Sequence, residues 1–322
     1  MQPIEYRQDP LTGVVTFIHP RRGRGAYFHT EQELIEQMAL QTREGCFFCP
    51  DKVATSTPTF PTELVSEGRL ARGQATLFPN LFAQKSCAAV AVLSHAHYLR
   101  LDEFTPSLFA DAFILAGDYL ARAHEVYGAR YAEVGGNYLH PSGSSVMHPH
   151  IQVIASNAPY HLMTTFMEKG KAYHQRYGSV YWDDLVKKEK RLDERYLGGI
   201  GPTQWFTPFA PVRHYEVDAI VSGAVHILDF DSAVWEALAE GLTRVLKAYH
   251  TEGLSCFNFA VYSGPLGQDL PYFRAGMKIV ARAGIQRFPV NDIWYGPNLL
   301  GSGFITRPPE DVAALIKPWF QK

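Results

Sequence analysis

Residues 144–153, "SSVMHPHIQV", put two histidines and a glutamine at alternate positions: His148, His150 and Gln152. Side chains of an extended strand alternate between faces, so these three project to one side while Pro149 points away. Three polar groups on one face of a segment that runs on into "VIA" are costly against an apolar core and require a polar partner. An imidazole can act as nucleophile, proton carrier or metal ligand, and a nearby amide can hold a charged group in place. A surface turn with solvated imidazoles is the alternative. The apolar continuation favours the strand, and proline is tolerated at a strand edge.

Cys46 and Cys49 form a Cys-x-x-Cys pair in "GCFFCP", whereas Cys87 and Cys256 stand alone. That usage points to metal or redox chemistry rather than a disulfide framework. A tetrahedral zinc site needs two more ligands, for which His95, His97, His140 and His148 are candidates. Free thiols or a redox pair remain open, although no strand leading into a helix surrounds the pair as thioredoxin-like chemistry would require. In "HPRRGRG", Arg21, Arg22 and Arg24 lie among glycines, where guanidinium groups and backbone amides could converge on a phosphate or form a solvated basic loop. "GGNYLHPSGSSVM" leads into the histidine strand and could bring hydroxyls and amides beside His150. It lacks the lysine and following helix of a P-loop.

The elements that position these groups recur along the chain. "FPNLFAQKSCAAVAVLSHAHYLRLDEFTPSLFADAF" reads as two strands and a helix opened by Thr105 with Pro106 in its first turn. "FTPFAPVRHYEVDAIVSGAVHILDFDSAVWEALAEGL" repeats the rhythm, with a helix starting near Asp231. "HPHIQVIA" at 148–155 is answered 126 residues later by "RAGMKIVA" at 274–281, with the apolar positions kept and both histidines gone. We read a duplication in which only the first copy carries the imidazoles; chance similarity of two α+β units is the alternative. The expected organisation is an N-terminal half over 1–160, beginning with a turn-rich arm to about residue 72, a helical connector over 161–198 and a degenerate second half over 199–322. The connector is charged at helical spacing and is expected to connect rather than catalyse.

With 322 residues and a formal net charge of −2, the chain can bury a sizeable core and carries no broad basic field for nucleic acid or an anionic membrane. No apolar run approaches about 18 residues, and the N-terminus lacks a basic stretch followed by an apolar one. A soluble, cytoplasmic protein is expected, with any anionic ligand met by a local site.

Taken together, "DPLTGVVTFIHPRRGRG", "GCFFC", "FPNLFA", "LSHAHYLRLDEFT" and "GGNYLHPSGSSVMHPHIQ" resemble the galactose-1-phosphate uridylyltransferase family of the histidine triad superfamily, over nearly the whole chain. The resemblance implies an α+β fold of tandem duplicated histidine-triad-like domains with mainly antiparallel sheets and packed helices. It implies that His150 is the nucleophile that takes a nucleoside monophosphate from a diphosphate substrate. Gln152 would bond the transferred phosphoryl group, and Ser145, with Ser144 beside it, and Asn137 would touch phosphate. Arg22 falls on the family's N-terminal arginine and Asn80 on its uracil-side asparagine. Cys46, Cys49, His97 and His148 would hold a structural zinc, and a homodimer is expected. Three departures stand out: Ile151 occupies a position usually glycine in hexose-using members, "RAGMK" lacks the His-x-His of a second metal site, and "DIWYGPNLLGSGF" matches the hexose-gripping stretch poorly.

Two enzymatic readings follow, both through nucleotidyl-His150. One moves UMP from a UDP-hexose to a hexose 1-phosphate; the other uses an adenylyl donor such as ADP-glucose or adenylylsulfate with inorganic phosphate as acceptor, forming ADP. A hydrolase is a variant distinguishable by whether nucleotide release needs an acceptor. A non-catalytic nucleotide-binding protein that keeps the zinc scaffold is the reading from a different class.

Overall fold

The computed structural model describes residues 4–20, 26–83, 85 and 87–321. The chain opens with a hairpin of β1 (Glu5–Gln8) and β2 (Val15–Ile18), followed by α1 (Gln32–Arg43) and a single turn α2 (Val53–Ser56). Three strands come next, β3 (Leu70–Arg72), β4 (Ala75–Pro79) and β5 (Cys87–Val92), then the long helix α3 (Pro106–Tyr127), β6 (Tyr131–Tyr138) and the histidine strand β7 (His150–Ser156). Helices α4 (His161–Tyr177) and α5 (Tyr181–Leu192) lead to β8 (Tyr196–Ile200), β9 (Thr203–Phe206), β10 (Val217–Val221), α6 (Ser232–Thr251), β11 (Cys256–Tyr262) and β12 (Gly276–Arg282). The chain closes with α7 (Tyr295–Leu299), β13 (Gly303–Ile305) and α8 (Pro309–Phe320).

Ten strands form one sheet in the order β3-β4-β5-β7-β6-β11-β12-β10-β9-β8, every neighbouring pair antiparallel. The order is a five-strand unit followed by its mirror in chain sequence, joined where β6 meets β11. The fold is α+β and internally duplicated. At the level of residues, His148, His150 and Gln152 have Arg274, Gly276 and Lys278 as their counterparts 126 positions on.

Local signals explain the two core helices. Thr105 is extended ahead of Pro106, whose ring presets the first helical turn, and Gly128 ends α3 at φ 64° with its N–H on the His124 carbonyl. Asp231 accepts from the Val234 N–H at 2.9 Å and so caps α6. Both helices present Leu, Ala, Val and aromatic side chains to one face of the sheet and pack against each other there. The opposite face is covered unequally. Over the second half, α4 and α5 seat Phe166 and Trp182 against Tyr262, Phe206, Ile220 and Phe273. Over the first half, the arm seats Phe48, Cys46 and Cys49 on Phe78, Val90 and Val92, and leaves a hollow beside them.

The chain's ends are tied together. β13 adds to β2 in parallel, with the His19 N–H on the Ile305 carbonyl, and Glu310 at the start of α8 receives both Arg7 and Arg195. Among the described residues no helix is long and apolar enough to cross a membrane.

Candidate active site

The hollow is a cavity of about 720 Å³, a size suited to a drug-sized or nucleotide ligand, with Asn80, Asn137, Ser145, His150, Gln152 and Lys278 among its walls. His150 opens β7, and its Nδ1 lies 2.8 Å from the His148 carbonyl oxygen. A carbonyl only accepts, so Nδ1 carries the hydrogen and, in the neutral ring, Nε2 keeps its lone pair. Burial lowers the His150 pKa and outweighs the hydrogen bond to His148, which raises it, so the ring is neutral at physiological pH. The Phe48 ring packs on it with centroids 5.2 Å apart. The arrangement is a fixed, neutral imidazole with one free nitrogen, which is what nucleophilic attack requires.

Gln152 is oriented by a chain of donors whose direction is forced. The Phe82 N–H can only donate, so the Asn80 atom 2.9 Å from it is Oδ1. Asn80 Nδ2 then donates to Gln152 Oε1 at 3.0 Å, leaving the Gln152 amide nitrogen as a donor to the cavity. A second chain starts in the other half. Arg282, buried and held by both oxygens of Asp292, donates to Asn258 Oδ1 at 2.7 Å. Asn258 Nδ2 donates to Asn137 Oδ1 at 2.6 Å and to the Ser142 carbonyl at 2.9 Å. The Asn137 amide nitrogen is thereby aimed as a donor as well.

Ser144 and Ser145 separate. Ser144 is buried and closes its own turn, donating to the Val146 carbonyl at 2.6 Å, whereas Ser145 is exposed on the cavity wall. His140 is held on the Ser144 carbonyl at 2.8 Å, and His95 is exposed. Arg21, Arg22 and Arg24 lie outside the described residues.

Cys46, Cys49, His97 and His148 are all buried, with one ligand atom of each lying within 4.8 Å of every other. The sulfur–nitrogen separations are 3.6 Å for Cys46–His148, 3.6 Å for Cys49–His97 and 3.7 Å for Cys49–His148. A tetrahedral zinc with standard Zn–S and Zn–N bond lengths sets that separation at about 3.6 Å, so the four groups fit the ion. Outer contacts fix the tautomers: His148 Nε2 donates to the Ser94 carbonyl at 2.7 Å, and His97 Nε2 lies 3.0 Å from Thr42 Oγ. Each imidazole therefore turns Nδ1 toward the sulfurs. Burial, with Cys46 alongside, pushes the Cys49 thiol up to about 11, so two adjacent thiolates need a cation between them.

The sequence reading expects the connector only to connect, yet its Leu162 and Met163 line the cavity, next to Tyr160 at the end of the first half. The reason is packing. With α4 packed over the second half, its first turn comes to line the same cavity as residues of β6 and β11. Asn258, Lys278 and Glu133 also border or support the site without having been singled out from the sequence. The repeat offset alone could have found Lys278, which stands where the first copy has Gln152; nothing local marks Asn258 or Glu133.

No family model matches the chain. An uncharacterised protein of Archaeoglobus fulgidus is 30% identical over 315 residues, 98% of this chain and 92% of the relative. Among solved structures, an ADP-glucose phosphorylase from Arabidopsis thaliana with bound ADP-glucose superposes with a TM-score of 0.77 at 17% identity, covering 98% of this chain and 99% of that one. A GalT-like protein from Arabidopsis thaliana gives 0.76 at 18%, covering 97% and 98%. A uridylyltransferase gives 0.71 at 17%, covering 99% of each chain. The chain thus belongs to one family with the archaeal protein, and its fold is that of the galactose-1-phosphate uridylyltransferase-like proteins.

Proposed function

We propose that the protein is a nucleotidyltransferase that moves a nucleoside monophosphate from a nucleotide sugar to a phosphate-bearing acceptor through a covalent nucleotidyl-His150. The observation that carries this reading is the His150 ring, whose Nδ1–H is bound to the His148 carbonyl and whose Nε2 has no partner among the described residues, beside a nucleotide-sized cavity. Nε2 attacks the α-phosphorus; the N–P bond forms, the P–O bond to the β-phosphoryl group breaks, and a sugar phosphate leaves. The ring gains positive charge, which the His148 carbonyl stabilises through Nδ1–H. A phosphate oxygen of the acceptor then attacks phosphorus, the N–P bond breaks and the neutral imidazole returns. Gln152 and Asn137 donate to the phosphoryl oxygens, with Ser145 beside them; Arg22 is assigned to phosphate on the resemblance. Cys46, Cys49, His97 and His148 would hold zinc as a closed structural site that anchors the arm beside the nucleophile.

Motif for motif, the donor reads as a UDP-hexose. A specific observation favours the adenylyl reading. The Asn80 amide is held by Phe82 N–H on Oδ1 and by Gln152 on Nδ2, so its orientation is set by the protein before any base binds, with one N–H and one lone pair remaining. The neighbouring wall is apolar, from Phe47, Pro58, Leu81 and Phe82, and suits stacking of a larger base. The fold likeness to an ADP-glucose phosphorylase is compatible with that choice.

The test is intact-protein mass after separate incubation with UDP-glucose, ADP-glucose or adenylylsulfate, without acceptor, under mildly alkaline conditions that preserve a phosphoramidate. A gain equal to AMP or UMP that is absent in His150→Ala establishes the intermediate and names the base. Turnover retained in His150→Ala, or no adduct with any donor, would sink the mechanism.

A further inference from the structure

The second copy has no nucleophile: Gly276 stands where the first has His150. Across the seam, however, it holds a group of the first copy that is assigned to phosphate. In the ladder of β6 and β11, Asn258 lies directly opposite Asn137, and on β12 Arg282 pairs with Cys256, two residues from Asn258 on the same face of β11. Opposed and diagonal positions on one face are within reach of long polar side chains, so the three form a row that runs from the cavity wall into the second half.

Asn258 is fixed in one orientation. Arg282, a donor only, is clamped by both oxygens of Asp292 and gives an N–H to Asn258 Oδ1 at 2.7 Å. The Ser142 carbonyl, an acceptor only, takes an Asn258 Nδ2 hydrogen at 2.9 Å, and Asn137 Oδ1 takes one at 2.6 Å. Arg282 and Asp292 are buried, so solvent does not compete for the clamp. The turn that contributes Ser142 depends on such a tether. Leu139 enters it at φ 65° and ψ 165°, a conformation that a non-glycine residue keeps only where its surroundings hold it. Behind the turn, His140 and Pro141 border a second cavity of about 430 Å³, so packing does not back it on that side.

We infer that Asn258, clamped by Arg282 and Asp292, is a positioning residue for nucleotidyl transfer: through it the second copy keeps the Asn137 amide nitrogen turned toward the phosphoryl group at His150. The inference rests on the transferase reading above. An untethered Asn137 amide has two orientations, one of which sets its carbonyl oxygen against the negatively charged phosphoryl oxygens. A donor preset by the protein needs no reorganisation as charge develops there. Asn258 stands behind Asn137 rather than on the cavity wall, so its effect on rate passes through Asn137 and not through contact with substrate. The copy that lost the imidazole thereby still serves the reaction of the copy that kept it.

A double-mutant cycle tests this. Adduct formation is timed by quenched intact-mass measurement at saturating ADP-glucose or UDP-glucose in wild type, Asn258→Asp, Asn137→Ala and the double variant, with a melting curve for each. In Asn258→Asp one carboxylate oxygen still receives Arg282, while the other draws the Asn137 nitrogen toward itself and turns the Asn137 carbonyl to the cavity. The step should slow by about a hundredfold, as for loss of a donor at the reacting oxygen, with Tm within a few degrees of wild type. In the Asn137→Ala background the same change should cost no more than about twofold, because its route to the substrate is gone. A purely structural role would lower Tm and give the same fold loss in both backgrounds. Such additivity, or a wild-type rate in Asn258→Asp, would overturn the inference, and the wild-type adduct would leave the transferase reading standing. Should Asn258→Asp not fold, Asn258→Ala takes its place in the cycle, with about tenfold slowing expected that again disappears in Asn137→Ala. A wild type that forms no adduct would overturn the transferase reading and this inference with it.

Discussion

The chemistry proposed for His150 depends on groups that never touch substrate. Its own His148 carbonyl selects the tautomer, and Asn80 selects which end of Gln152 faces the cavity. The second interaction can be inverted by one atom. Asn80→Asp replaces the Nδ2 donor by a carboxylate oxygen that repels Gln152 Oε1, so the glutamine turns its nitrogen inward and its carbonyl toward the phosphoryl group. A neutral hydrogen bond of this kind contributes about 1 kcal/mol to stability, whereas a missing donor at the reacting oxygen costs about a hundredfold in rate. Asn80→Asp is therefore expected to slow adduct formation by about a hundredfold while leaving thermal unfolding within a few degrees of wild type. Stopped-flow or quenched mass measurements of the adduct, set beside a melting curve, check the separation. Equal rates in the two proteins would remove Asn80 from the orienting role.

At the scale of elements, the four candidate zinc ligands join three pieces of chain: the turn after α1, the loop after β5 and the entry to β7. Cys46 and His148 are separated by 102 positions, yet their ligand atoms are 3.6 Å apart. A zinc ion bound here would crosslink the arm to the strand that carries the proposed nucleophile, and structural zinc sites contribute folding free energy outright. Cys49→Ser should lose bound zinc and lower Tm by about 10 °C. Elemental analysis and calorimetry on the same preparation test this, and full zinc occupancy with an unchanged Tm would exclude Cys49 from the site. The connector shows the converse dependence. Its helices cover part of the second copy's face with Phe166 and Trp182, whereas the cavity with His150 lies beside the arm over the first copy.

Across the whole molecule, the duplicated sheet is closed by its ends. Glu310 receives Arg7 from the first strand and Arg195 from the end of the connector, between α5 and β8, and Arg195 also meets the buried Glu189. Burial raises the Glu310 pKa, but the hydrogen bonds from Arg7 and Arg195 outweigh it and hold the carboxyl below its ordinary value. A carboxyl depressed in the folded state stabilises fully above its unfolded pKa, near 4.5, and that stability is lost as pH falls through the folded value. Glu310→Gln should therefore melt several degrees below wild type at pH 7, with the gap narrowing below about pH 4. Melting curves from pH 7 to pH 3 read this out; a gap constant with pH would assign the loss to packing rather than charge.

By itself the sequence determined the chemistry on offer. The period-two spacing of His148, His150 and Gln152, the Cys46–Cys49 pair, the Thr105–Pro106 and Asp231 helix starts and the 126-residue offset are all local or self-comparison signals, and backbone geometry converts each directly into a face, a turn or a repeat. Tertiary structure alone decided among equivalent groups. Of four candidate histidines, His97 and His148 reach the sulfurs because the register of β5 against β7 brings the loop after β5 beside the entry to β7, while His95 faces solvent and His140 closes its own loop. Whether Asn80 meets a base or Gln152, that Asn258 aims Asn137, and that β2 finds β13 nearly 300 residues away all depend on long-range pairing. No periodicity within a segment encodes which distant strand will lie beside it, because that choice is made by the packing of the whole sheet.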